Sequence, residues 1–168
     1  MKKVRSFDPI SSKDARILIL GSMPGERSLA AAQYYAHPRN AFWKILQRAV
    51  GWEEGAEYDE RILRLKAHGI ALWDVLHSCH RKGSLDTAIR AGSVKVNDFG
   101  AFFRRHPKID TVLFNGSASE RYYKQYVLPT LERTDLSYLR MPSTSPAHAA
   151  LSFEEKAAAW LKGVGAPS

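Results

Sequence analysis

Four short stretches carry the side chains with chemical potential: Gly21-Ser22-Met23-Pro24-Gly25, the run YYAHPRNAFW that starts at Tyr34, the single acid Asp74, and MPSTSPAH ending at His148. The first is rich in turn formers, and its backbone amides can face a ligand. It is not GxGxxG, and no Lys-Ser/Thr pair comes after it, so dinucleotide and nucleoside triphosphate binding lose their motif support. Taken alone it reads as a tight turn leaving the end of a strand. The second stretch includes Asn40, whose amide both donates and accepts and which is also a preferred cap for the helix after it. Ser143 and Ser145 with His148 lack the nucleophile-elbow context of a serine hydrolase. His77 and His80 stand three apart with no further ligand cluster, so they read as a surface pair, and no metal is expected.

These residues sit where an α/β domain puts its ligands. Residues 17–20 are four apolar residues that read as a buried strand, and the glycine loop leaves from its end. Residues 41–50 place Phe42, Ile45, Leu46 and Ala49 at helical spacing, and Gly51 comes next. Residues 58–68 predict a helix stopped by Gly69, and 70–73 predict a second strand, with Asp74 at its end or capping the next element. Residues 77–92 are basic and contain glycine, and they read as a surface excursion with a short helix at 86–90. Asn97 is expected to cap a helix over 98–106, ended by Pro107. Residues 109–114 predict a third strand, 118–126 a helix, 137–139 a weaker fourth strand, and Ser152 with Glu155 a capping box for the last helix. Residues 1–13 are expected to wrap the surface without function, and 163–168 to form a tail. Strands alternating with helices through short connections predict one three-layer α/β/α domain over 1–168, with a central, mainly parallel four-stranded sheet. In such sheets ligands bind beyond the carboxyl ends of the strands.

The chain has 168 residues and 45% apolar composition, enough to bury roughly two thirds of its unfolded surface without metals or disulfides. No stretch approaches the ~18 apolar residues of a membrane helix, and no secretory signal opens the sequence. The lone Cys79 cannot form an internal disulfide. A cytoplasmic, nucleoid-associated location is the expectation. Twenty-five basic residues against 17 acidic give a net charge of +8, which fits a polyanionic partner, although charge also serves solubility. The basic groups are Arg39, Lys44 and Arg48, then His80, Arg81 and Lys82, then Arg104, Arg105, His106 and Lys108.

The combination GSMPGERSL, YYAHPRNAFW and MPSTSPAHA resembles the uracil-DNA glycosylase superfamily, most of all its hypoxanthine-DNA (deoxyinosine) glycosylase branch, and the likeness covers most of the chain. It implies an enzyme that flips a deaminated base out of DNA and hydrolyses its N-glycosidic bond, with uracil second to hypoxanthine. Gly21, Ser22, Met23, Tyr35 and Asp74 would then form the base pocket. Tyr35 would stack on the base, its structural alternative being a half-buried core tyrosine. Arg39 and Lys44 would touch phosphate, and Pro142, Ser143, Thr144, Ser145 and Pro146 would press into the groove, unless they form merely a rigid turn. Many members hold the attacking water with Asp or Asn where this chain has Met23, so catalysis is expected to fall to Asn40, with His148 stabilising the departing base. Asp74 falls where relatives carry a base-reading asparagine; an ionised carboxylate only accepts and would suit the N1–H of hypoxanthine. The superfamily's iron-sulfur branches need four cysteines, and no cofactor is expected here.

Other classes share the same features. A catalytically silent nucleic-acid-binding domain is consistent with the charge and with Met23, and a mismatch-specific uracil/thymine-DNA glycosylase is consistent with the motifs. A small-molecule nucleoside hydrolase would act on free inosine with little salt dependence. The expected partner is double- or single-stranded DNA with deaminated bases, and the expected state is a monomer.

Overall fold

The computed structural model describes residues 2–165. In chain order the elements are β1 (Lys3–Arg5), β2 (Ile17–Gly21), α1 (Glu26–Ala31), α2 (Phe42–Val50), α3 (Tyr58–Ala67), β3 (Ile70–Asp74) and β4 (Leu76–His80). Next come β5 (Lys95–Val96), α4 (Phe99–Arg105), β6 (Thr111–Asn115), α5 (Ser117–Tyr122), β7 (Ser137–Met141) and α6 (Phe153–Gly163). The main sheet has the order β3-β2-β6-β7, and every pair in it is parallel.

The inner strands are apolar because both faces of this sheet are covered. Alternate side chains separate the two cores. Leu18, Leu20, Ala71, Trp73, Val112 and Phe114 lie in the core shared with α4 and α5, while Ile19, Ile70, Leu72 and Leu113 pack with Phe42, Ile45 and Leu46 of α2 and Trp160 of α6. This is the three-layer α/β/α arrangement that the alternation of strands and helices predicts. All four strands of the main sheet run the same way, so Gly21, Asp74, Asn115 and Met141 end at one edge, which is where the loops of interest begin.

The segment before residue 13 runs along the surface as expected, and it is ordered there: β1 pairs antiparallel with β4, and Ile10 exchanges backbone hydrogen bonds with Leu72. Three local expectations are corrected. Residues 77–92 are a surface excursion only in their later part, since β4 lies between β1 and β5 in a small antiparallel sheet and buries Ser78 and Cys79, while most of 82–92 is exposed. The helix expected over 86–90 shrinks to a single turn, Asp86–Ala88. Asp98, not Asn97, caps α4, accepting from Ala101 N, which frees the Asn97 amide to donate to Asp74 O at 2.8 Å. A helix not foreseen, α1, comes after the glycine loop. The capping box at Ser152 and Glu155 forms as expected. Gly163, placed in a tail by the sequence, ends α6 against Met141; residues 166–168 of that tail lie outside the described residues.

Candidate active site

A cavity of about 420 Å³ opens at the carboxyl edge of the main sheet, a volume suited to a small-molecule ligand. Its floor is set by strand register. Gly21 stands beside Asp74 across the β2–β3 pair, and Val75 N and Leu76 N donate to Gly21 O and Ser22 O, so the two strand ends stay paired past the sheet. A Cβ built on Gly21 would lie 2.5 Å from Asp74 Oδ1 and 3.3 Å from Tyr35 Oη. Glycine is therefore required there by close approach, and the three residues converge on one point. Gly21→Ala is expected to cost roughly 1–3 kcal/mol through overpacking, and denaturant unfolding measures the loss.

The aromatic wall is Tyr35. Its backbone is left-handed at φ 54°, a conformation uncommon for a bulky residue and typical of sites that hold strain for function. Its ring stacks on Phe42 at 3.9 Å and 21°, and so its orientation is fixed by the first residue of α2. Ala36 N donates to the buried Ser28 Oγ of α1, and Trp43 Nε1 donates to Tyr34 O, so both sides of the turn are tied down. Further along the loop, Asn40 Oδ1 accepts from Phe42 N at 3.0 Å. The amide thus serves the helix start with one atom while Asn40 still lines the cavity.

The third wall is the loop after β7. Thr144 is held on three sides: its N–H donates to Asn115 Oδ1, its Oγ1 accepts from Asn115 Nδ2, and its carbonyl accepts from Ala41 N. Trp160 Nε1 donates to Pro142 O, and the buried Lys156 ammonium donates to His148 O at 2.6 Å. The fourth wall comes from the turn after β4. Ser22 Oγ donates to Asp86 Oδ1 at 2.5 Å, Glu26 N donates to Ser84 Oγ at 2.8 Å, and the buried Arg81 donates from Nη2 to Pro24 O.

Comparison with known proteins shows the family of this chain. Residues 8–162 match the family described as the uracil DNA glycosylase superfamily. The chain belongs to that superfamily. Two proteins described as hypoxanthine DNA glycosylases are similar to it: one from Methanosarcina barkeri, 39% identical over 73% of this chain and 76% of the relative, and one from Methanosarcina acetivorans, 34% identical over 75% and 84%. The solution NMR structure of a Methanosarcina acetivorans protein, described provisionally as a uracil DNA glycosylase, superposes with a TM-score of 0.82 at 29% identity over 97% of both chains. The chain is accordingly a DNA glycosylase, a hydrolase of the N-glycosyl bond.

Within this glycosylase the expected site residues separate into two groups. Gly21, Ser22, Met23, Tyr35, Asn40, Asp74, Ser143, Thr144, Ser145 and Pro146 all line the one cavity. His148 is not among its walls; its backbone is engaged by Lys156 and by its own hydrogen bond to Ser145 O, and the imidazole that lines the cavity belongs to His37. Thr144, expected to press into DNA, is only 1% exposed and anchors the loop from inside, leaving Pro146 and Ala147 at its tip. Arg39 and Lys44 are exposed, whereas Arg48 of the same basic group forms a two-pronged ion pair with Glu154.

Asp74 is the electrostatic centre of the pocket. It is 4% exposed, and Oδ2 has no hydrogen-bond partner among the described residues. Burial pushes its carboxyl up to about 7, with the charge of Asp86 adding to the rise and that of Arg81 opposing it. A buried acceptor left unpaired is costly, and a ligand that supplies the missing partner recovers that cost. Burial and the charge of Asp74 likewise push the Tyr35 phenol upward, so it stays neutral. Ser84, Asp86, Asn115 and Lys156 carried no site role in the sequence, and Arg81, grouped there with basic residues for a polyanionic partner, is buried behind the wall. A carboxylate close to Ser84 and Leu85 was the one signal available for the fourth wall, because Asp86 is the only acid between Asp74 and Asp98.

Proposed function

We infer that this glycosylase removes deaminated bases from DNA, hypoxanthine first and uracil second. The observation that carries the reading is the convergence of Tyr35, Asn40 and Asp74 on one cavity, in which an Asp74 oxygen meets no donor among the described residues. A flipped base stacks on Tyr35 and offers its ring N–H to Asp74. As the glycosidic bond opens, negative charge gathers on the leaving base, and the fixed dipoles of Asn40 and of the Gly21–Gly25 backbone are already oriented when it does. Preorganisation of this kind lowers the barrier because nothing has to turn during the reaction.

The DNA face includes Arg39 and Lys44, both exposed and close in sequence to Asn40, and the loop tip at Pro146 between Ser145 and Ala147. Pro142 and Ser143 hold that loop near Gly116, where a Cβ would meet Ser143 Cβ at 3.1 Å. The exposed Leu85 adds an apolar contact at the cavity rim. The protein acts as a monomer close to the nucleoid. Binding is expected to weaken steeply with salt, with a log-log slope near 0.9 per phosphate contact, and Arg39→Ala and Lys44→Ala should each flatten it by about one contact. Affinity titrations across a salt series measure the slopes, and unchanged slopes in both variants would take this face out of the footprint.

A single assay tests the substrate reading: DNA duplexes carrying hypoxanthine, xanthine, uracil or a thymine mismatch are incubated with the protein and then treated with alkali. Strand cleavage greatest at hypoxanthine is the expected result. Cleavage confined to thymine or uracil mismatches would replace it with the mismatch-specific reading, and tight binding without abasic product would favour a silent DNA-binding role.

A further inference from the structure

The first loop of this chain carries Met23 where other members of the superfamily are expected to hold water with Asp or Asn, and a thioether neither accepts a proton at neutral pH nor orients water firmly. The fold brings a carboxylate to the same loop from elsewhere. Asp86, on the turn that comes after β4, reaches across 64 residues of sequence to accept a 2.5 Å hydrogen bond from Ser22 Oγ, next to Met23. Both residues line the cavity. The turn is held in place independently of that bond, by Glu26 N on Ser84 Oγ and by Arg81 Nη2 on Pro24 O. The carboxylate is therefore built into the pocket wall.

We propose that Asp86 is the proton acceptor for the attacking water, in the place that Met23 leaves empty. The inference rests on the glycosylase reading above. Ser22 engages Oδ1 and fixes the carboxylate plane, and no protein hydrogen bond among the described residues engages Oδ2. The C1′–N bond breaks with its electron pair leaving on the base. The water oxygen bonds C1′, its proton passes to Asp86 Oδ2, and the departing base anion takes a proton from solvent. The other charged or titratable side chains at the cavity are Glu26 and Arg27 of α1, Tyr34, Tyr35, His37 and Asp74, with Arg81 buried behind. Asp74 is committed to the base edge by its position beside Tyr35 and Gly21. Two carboxyl groups in one pocket thus divide the labour, one facing the base and one facing the water.

The test compares Asp86→Asn and Asp86→Ala under single-turnover conditions on hypoxanthine-containing duplex DNA. Asparagine keeps an acceptor for Ser22 Oγ and loses only the basic oxygen. D86N is expected to be slower by roughly a hundredfold to ten-thousandfold, the usual worth of a general base, while its affinity for the duplex stays within about threefold. D86A should be similarly slow, and added formate should restore part of its rate, because a small carboxylate can occupy the vacated space. A D86N rate within about tenfold of the unsubstituted enzyme would overturn the proposal. So would a slow D86A that formate does not rescue, which would make Asp86 a positioning residue for Ser22. An unsubstituted protein that releases no base at all would instead refute the substrate reading on which the proposal rests.

Discussion

Asn40→Ala is expected to lower single-turnover release of hypoxanthine by at least about a hundredfold while changing DNA affinity by no more than a few fold. An interaction made in the transition state acts on the chemical step, whereas ground-state binding of the duplex is spread over many phosphates. Phe42 N donates to Asn40 Oδ1 at 3.0 Å and so restrains the side chain. That same bond predicts a structural side effect. Loss of the contact at the start of α2 should cost about 1 kcal/mol, so unfolding must be measured in parallel. Asn40→Asp separates the two contributions, since aspartate keeps the acceptor for Phe42 N but removes the donor. A rate for Asn40→Ala close to that of the unsubstituted enzyme would move catalysis away from this residue altogether.

The second large effect concerns Asp74. Its carboxyl is pushed up to about 7, and in the unfolded chain it returns to 3.8. The folded state therefore holds an extra proton between those values. Stability should fall as pH rises from about 4 to about 7, and above 7 the folded protein bears the full cost of a buried charge. Asp74→Asn removes that decline, so the substituted protein should gain on the unsubstituted one at pH 8 relative to pH 5, by roughly 3 kcal/mol. Denaturant unfolding at the two pH values measures the difference. On the proposal that Asp74 faces the base edge, the same titration is expected to set selectivity. An ionised Asp74 only accepts; the N1–H of hypoxanthine is flanked by one carbonyl and one C–H, whereas the N3–H of uracil lies between two carbonyls that a carboxylate repels. Preference for hypoxanthine should therefore sharpen as pH passes 7. In Asp74→Asn that pH dependence should vanish, and uracil should gain by roughly tenfold to a hundredfold above pH 7, the worth of one unpaired buried polar group. The ratio of single-turnover rates on the two bases in one sequence context gives the answer. Equal slowing of both bases, or of neither, would leave Asp74 a structural role only.

That Tyr35 and Asn40 would lie near one another was legible in the sequence because both belong to one contiguous motif, and the place of Asp74 at the same cavity because parallel strands bring their ends to one edge. Strand content and layer order came from apolar runs alternating with helical spacing. Contact between distant loops could not be read. Asp86 meets Ser22 across 64 residues and Thr144 meets Asn115 across 29, and neither loop has a periodicity that would reveal its neighbour. The same holds for the loop end at His148, which is not among the residues lining the cavity: nothing in the local sequence marks Lys156 as the donor to its carbonyl. Composition misled for residues 77–81, since basic character reads as surface although Arg81 is 1% exposed, while most of 82–92 is exposed as expected.

The loop at residues 142–148 is fastened by two donors on α6, Trp160 and Lys156. Two of its fastenings therefore lie downstream of the loop in the order of synthesis, while Thr144 is tied to the upstream Asn115 and Ala41. Until α6 has left the ribosome, Trp160 is missing both from Pro142 and from the core beside Phe42, so the loop and that face of the sheet are completed in one step, when the helix docks.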